Sequence, residues 1–219
     1  MPGFNDIETL YPNIAKSFSK ENGYPASQVL CSSNCELYWD CDVCGGTYKA
    51  TFDERKDGKC PYCENKKVLT GYNDLKTMYP EIVNSYSKDN ILPADKVLYT
   101  SEYYYNWDCK ECTGKYKTTI YKRVNDGCPY CENKKALAGF NDLATTHPHI
   151  TKEWGIENYL LDIGGPENYK FDSTKQVYWK CPNCNTRYKM AIDDRVICDK
   201  RHHESCWKCS GRMKNILKL

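Results

Sequence analysis

The spacing of the cysteines constrains this chain more than any other feature. Cys41 and Cys44 form a Cys-x2-Cys pair, and after fifteen residues Cys60 and Cys63 form another. Cys109, Cys112, Cys128 and Cys131 repeat the pattern. Two residues between thiolates let one tight turn aim both sulfurs at a single ion, and two such pairs complete a tetrahedron. The spacing therefore predicts one structural Zn²⁺ in each set. Thiolates also hold iron–sulfur clusters, the rival reading of the same residues. Four thiolates leave no coordination position open for a catalytic water.

A third set is less regular. Cys181 and Cys184 are separated from Cys206 and Cys209 by 21 residues. The excess, Asp199 to Glu204, is strongly polar and reads as a solvated surface insertion. Cys198, His202 and His203 lie near enough to be alternative ligands. Cys31 and Cys35 have no counterparts elsewhere and read as spare reduced thiols. The chain has 15 cysteines, so a fully paired disulfide set is impossible within it. The beginning Met-Pro-Gly-Phe-Asn-Asp carries no secretory signature, and no stretch approaches the roughly 20 apolar residues of a membrane span. The expectation is an intracellular protein with reduced thiols and no membrane partner.

The metal pattern sits inside a longer repeat. Asn5-Asp6 recurs as Asn73-Asp74 and Asn141-Asp142, a step of 68 residues both times. Pro12, Pro80 and Pro148 keep that step, as do Ile14, Ile82 and Ile150, then Phe18, Tyr86 and Trp154, then Asn22, Asn90 and Asn158. Three zinc repeats follow: residues 2–69, 70–137 and 138–219, the last divergent and carrying the insertion. The junctions around Gly71 and Gly139 are short and not Ser/Gly-rich, so neighbouring modules should touch.

Within each repeat the sequence predicts a fixed order of elements. Asp6, Asp74 and Asp142 suit the cap of a first turn, and the prolines suit the first position of a helix. Strands are expected around Tyr38-Trp39, Tyr103 to Trp107 and Val177 to Trp179. A returning strand is expected from Thr47 to Phe52. The second cysteine pair should open a ligand-bearing helix. Trp39, Trp107 and Trp179, just before the first ligands, read as core. His147 replaces Tyr11 and Tyr79 and reads as a packing variant, while His149 belongs to no motif.

Several phrases together resemble a known family. They are Asn141-Asp142-Leu143, Pro148 to Trp154, Tyr178-Trp179-Lys180-Cys181, an arginine in the hairpin at Arg55, Arg123 and Arg195, and Cys-Pro-Tyr-Cys followed by Lys-Lys-x-Leu-x-Gly. Nearly the whole chain is similar to tandem treble-clef zinc-finger repeats, often described as probable zinc ribbons. The resemblance implies small α+β zinc-stapled modules, each with a helix, a zinc knuckle, a β-hairpin and a ligand helix. The family's usual Gly-His-x-Trp is absent. Gly45-Gly46-Thr47-Tyr48, Thr113-Gly114-Lys115-Tyr116 and Asn185-Thr186-Arg187-Tyr188 stand there instead. The resemblance implies nucleic-acid binding as the role.

Two functions compete on the residues themselves. Basic residues recur at similar places: Lys49 and Arg55 with Lys66 and Lys67; Lys115, Lys117 and Arg123 with Lys134 and Lys135; Arg187, Lys189 and Arg195 with Arg212 and Lys214. Such a periodic set could track a phosphate backbone of DNA or RNA, and Tyr62, Tyr116, Tyr130 and Tyr188 could stack on bases. Charge argues less clearly. Twelve ligand thiolates (−12) and three Zn²⁺ (+6) move the formal +2 to −4. A near-neutral chain with 19 tyrosines also suits a protein-binding adaptor or inhibitor. No paired carboxylates or nucleophile–base arrangement recurs with the modules, so no enzyme is expected.

Overall fold

Each repeat is anchored by its buried aspartate. In the computed structural model, which describes residues 3–211, Asp6, Asp74 and Asp142 are fully buried. Each accepts the backbone N–H of the threonine three residues on, at 2.8 Å from Thr9, 2.9 Å from Thr77 and 3.0 Å from Thr145. Each also accepts the N–H of the glycine three residues back. The Thr9 amide bond holds the Asp6 carboxyl below its usual range. Burial opposes ionisation at Asp74 and Asp142, but their threonine and glycine donors outweigh it and lower both. The capped turns are Ile7–Leu10, Leu75–Met78 and Leu143–Thr146. Second turns begin at the expected prolines: Pro12–Ala15, Pro80–Val83 and Pro148–Thr151.

Three antiparallel hairpins follow. Strands β1 (Leu37–Asp40) and β2 (Thr47–Ala50) pair in repeat 1, β3 (Tyr104–Asp108) and β4 (Lys115–Thr119) in repeat 2, and β5 (Gln176–Lys180) and β6 (Arg187–Ala191) in repeat 3. The register places Trp39 opposite Tyr48, Trp107 opposite Tyr116 and Trp179 opposite Tyr188. All three tryptophans are fully buried, as expected. Each ring N–H donates to a carbonyl of the partner strand: Ala50 at 3.0 Å, Thr118 at 3.1 Å and Met190 at 3.1 Å. An indole buried without an acceptor would forfeit part of its burial free energy.

The other side of each first strand is covered as well. Phe18, Tyr86 and Trp154 form isolated bridges with the three tryptophans. The Asn22 side chain acts as a short piece of strand: its amide donates to the Tyr38 carbonyl at 2.8 Å, and its oxygen accepts the Tyr38 N–H at 2.9 Å. Asn90 does the same with Asn106, and Asn158 with Tyr178.

Two expected elements differ. The returning strand of repeat 1 stops at Ala50, because Thr51 caps a helix, Phe52–Lys56, in a reciprocal capping box with Glu54. Arg55, Arg123 and Arg195 therefore lie on post-hairpin helices (Phe52–Lys56, Ile120–Asp126 and Ile192–Lys200), not in the hairpins. The expected ligand helix does not form in repeats 1 and 2, where a single hydrogen-bonded turn stands in its place. Glu64 N–H still bonds the Cys60 carbonyl, but Asn65 then takes φ 54°, as Asn133 takes 52°. That left-handed residue keeps the turn from continuing as a helix, and the N–H groups of Lys66 and Lys67 return to the Pro61 carbonyl.

The chain forms two compact units, one of residues 1–108 with 115–125, the other of residues 109–114 with 126–219. Among the described residues no helix is long and apolar enough to cross a membrane.

Candidate metal centres

All fifteen cysteines are free thiols, and twelve of them gather into three clusters. The clusters are Cys41, Cys44, Cys60 and Cys63; Cys109, Cys112, Cys128 and Cys131; and Cys181, Cys184, Cys206 and Cys209. Within each cluster the four sulfurs lie within 4.8 Å of one another. Sulfurs stand 3.6 Å (Cys41–Cys63) and 3.7 Å (Cys44–Cys60) apart across the first site, 3.6 Å in the two equivalent pairs of the second, and 3.7 Å in those of the third. A tetrahedron with Zn–S bonds of about 2.3 Å has edges of about 3.8 Å. Disulfide sulfurs would stand about 2.05 Å apart. The donor sets thus fit three structural zinc ions, each closed by four thiolates.

Local backbone explains how each pair is aimed. The Cys41 N–H bonds the Gly46 carbonyl, closing the knuckle, and Cys109 with Gly114 and Cys181 with Thr186 repeat it. Burial opposes ionisation of Cys41, but the N–H groups of Cys44 and Val43 favour its thiolate and bring it to about 7. Cys109 is likewise brought to about 7 against burial. The Thr186 hydroxyl and N–H bring Cys184 to about 6. Burial pushes Cys44 up to about 12. Four thiolates crowded at these distances cannot all be ionised without a cation, so zinc is what makes the cluster stable.

The two pairs of site 1 are also held against each other. The Tyr62 hydroxyl donates to the Thr47 carbonyl at 3.0 Å, and its ring meets Tyr48 edge-on at 6.3 Å. A Cβ at Gly46 would come within 2.7 Å of the Tyr62 ring, so the knuckle needs glycine there. Tyr62 and Tyr188, expected as stacking platforms, are structural. Tyr188 is buried and shares a 2.7 Å hydrogen bond with Ser205.

The family models match the same modules. A probable treble clef zinc finger domain is matched three times, over residues 14–66, 83–134 and 150–212, once inside each repeat. The chain belongs to this treble-clef family. No curated protein matches it. The resemblance read from the motifs, the zinc-stapled α+β fold and the three Zn²⁺ sites all stand on these findings.

In this treble-clef chain the third site uses cysteine alone. Cys198, His202 and His203 stay outside the ligand cluster. The insertion is only partly a surface loop, because its first residues extend the helix to Lys200. Asp199 accepts from His149 at 2.8 Å and Lys200 lies over the Phe171 ring, which His147 also meets at 5.5 Å. His149 thus has a partner that no motif announced. Cys31 packs against the repeat 1 core, and Cys35 is exposed.

The basic residues divide into two groups. Arg195 is only 7% exposed and makes two bonds to the Glu153 carboxylate, at 3.1 and 2.6 Å. Its burial removes it from any ligand surface. Arg55 donates to Ser17 at 3.1 Å, and Arg123 donates to Ser85 while lying over Trp107. Arg187 pairs with Glu157, Lys134 with Asp126, Lys66 with Glu64, and Lys115 lies near Asp89 and Asp108. Lys49, Lys67, Lys117, Lys135 and Lys189 are exposed. Lys49 rides 4.6 Å above Tyr38, and Lys189 5.5 Å above Tyr178. Arg212 and Lys214 lie outside the described residues. The structure gathers Lys49, Lys66 and Lys67 along one groove of about 380 Å³ in repeat 1 and adds Lys59 to them. Sequence reasoning missed Lys59 because it stands alone before a ligand and is not matched in the other repeats.

Proposed function

We propose that this chain is a non-catalytic, zinc-dependent nucleic-acid-binding repeat protein that works inside the cell. The supporting observation is the repeat 1 groove, where lysines from the hairpin and from the ligand turn face a common hollow. Zinc holds those two elements together, so metal and basic surface are coupled. Lys59 and Lys66 share the groove with Asp57 and Glu64, at 3.5 and 2.9 Å. Among the described residues, no carboxylate lies within ion-pair distance of Lys49 or Lys67, so these two are the better phosphate contacts. Closed four-thiolate sites offer no position for substrate or water, which supports a binding role.

Fluorescence anisotropy with labelled single-stranded DNA, duplex DNA and RNA at two salt concentrations tests this reading on the zinc-loaded chain. Salt-sensitive binding is expected, and Lys67→Glu should weaken it while lowering the log–log salt slope by about 1. Absence of binding at low salt overturns it. A second reading, a protein-binding adaptor, is favoured by an exposed apolar surface in repeat 2: Ile91 is 100% exposed and Tyr103 78%, with Leu92 and Tyr104 also exposed.

A further inference from the structure

The ligand turns of sites 1 and 2 are fastened by residues of the repeat that follows. The turn bearing Cys60 and Cys63 ends at the left-handed Asn65, which leaves carbonyls pointing away from any helix. Asn73, 2% exposed, adds side-chain donors to the carbonyls around it, joining the Asn65 N–H that already bonds the Tyr62 carbonyl at 3.1 Å. Its amide donates to the Tyr62 carbonyl at 2.8 Å and the Lys67 carbonyl at 3.0 Å, with the Asn65 side-chain oxygen at 3.3 Å. Its own oxygen accepts the Leu69 N–H at 2.6 Å. An amide has two N–H groups, so the two shorter bonds to backbone account for both.

The arrangement recurs one repeat later. Asn141 donates to the Tyr130 carbonyl at 2.9 Å and the Lys135 carbonyl at 2.9 Å, approaches the Asn133 oxygen at 3.3 Å, and accepts the Leu137 N–H at 2.7 Å. One feature is confined to site 1. The Tyr72 hydroxyl lies 3.7 Å from the Cys63 sulfur, whereas the corresponding residue of the next repeat is Phe140 and has no hydroxyl.

We propose that Asn73 and Asn141 are positioning residues for the zinc ions of the preceding repeats, and that Tyr72 adds a hydroxyl donor to the Cys63 thiolate. Zinc affinity at sites 1 and 2 is then linked to the folded state of the next repeat's first turn. Linkage is reciprocal, so zinc in site 1 also stabilises the start of repeat 2. Partners behind metal ligands typically contribute about 10- to 100-fold in metal affinity, through orientation and through ligand basicity.

The test uses the full chain loaded with ¹¹³Cd²⁺, whose resonances are assigned through Cys60→Ser, Cys128→Ser and Cys206→Ser. Asn73→Ala should move the site 1 resonance and lower its metal affinity in chelator competition by about 10- to 100-fold, with site 3 unmoved. Asn141→Ala should do the same at site 2. Tyr72→Phe, which keeps the ring, should move the site 1 resonance alone. An unmoved site 1 resonance with unchanged affinity in Asn73→Ala overturns the proposal. So does an equal loss at all three sites, which would mark general unfolding. Should Asn73→Ala prove too disruptive by circular dichroism, the isosteric Asn73→Asp, which lacks the two donors, decides the matter by the same two readouts.

Discussion

In repeat 1, Arg55 reaches back 38 residues to the neutral hydroxyl of Ser17. In repeat 3, the equivalent Arg195 reaches back 42 residues to the carboxylate of Glu153. The difference follows burial. The repeat 1 helix spans Phe52–Lys56 and leaves its arginine half-exposed, so water shares the charge. The repeat 3 helix spans Ile192–Lys200, covers Arg195, and brings Asp199 to 3.8 Å from it. A guanidinium taken that far out of water needs an opposite charge, since a hydroxyl alone would not offset its desolvation. The helix starts differ in the reverse sense. Thr51 forms a full capping box, Thr119 bonds Lys122 N–H without a reciprocal carboxylate, and Ala191 makes no side-chain cap. In repeat 3 the acidic Asp193 and Asp194 of the first turn face the positive end of the helix instead.

The sharpest way to break this comparison is at the metal. Cys60→Ser and Cys206→Ser should each reduce the bound zinc from three ions to two and unfold its own repeat, a loss on the order of 10 kcal/mol of metal-linked folding free energy. Metal analysis with circular dichroism reads both. Full retention by Cys206→Ser alone would show that His202 or His203 can replace the sulfur in repeat 3. Next in size, Glu153→Ala should destabilise repeat 3 by about 3 kcal/mol, because it leaves the buried Arg195 with only the more distant Asp199, at 3.8 Å, for a partner. Ser17→Ala, its counterpart, should cost only about 1 kcal/mol. Denaturant midpoints compare the two, and equal losses would refute the burial argument. The smallest expected effect is at the caps. Thr51→Ala should cost about 1 kcal/mol, and Thr119→Ala less because it breaks one bond rather than a reciprocal pair.

Much of the metal architecture was legible because coordination chemistry fixes residue type and spacing together. Cys41 and Cys44 need no tertiary information to be paired, and Asp6, Asp74 and Asp142 announce their own caps three residues ahead. The arginines were harder. Arg195 looked like the third member of a basic series, because its partner Glu153 lies far away in sequence and burial leaves no local mark. Asn73 and Asn141 were visible as recurring positions, but their roles depend on the carbonyls presented by a left-handed turn at Asn65 and Asn133. Nothing in Glu-Asn-Lys-Lys distinguishes such a turn from a longer helix until the backbone is traced.

The asparagine that mimics a strand has a consequence for how these modules avoid one another. A two-stranded hairpin exposes two edges, and an open edge is a template for pairing with another molecule. Ser19 and the Asn22 amide occupy the N–H and C=O groups of Tyr38, the Ser17 carbonyl takes the Asp40 N–H, and Asn90 and Asn158 occupy the same groups of Asn106 and Tyr178. The first strand of every hairpin is therefore closed to intermolecular sheet extension. A chain carrying three minimal sheets presents that aggregation hazard three times over, and one asparagine side chain per repeat, half-buried at Asn22 and Asn90 and fully buried at Asn158, helps to block it on that edge.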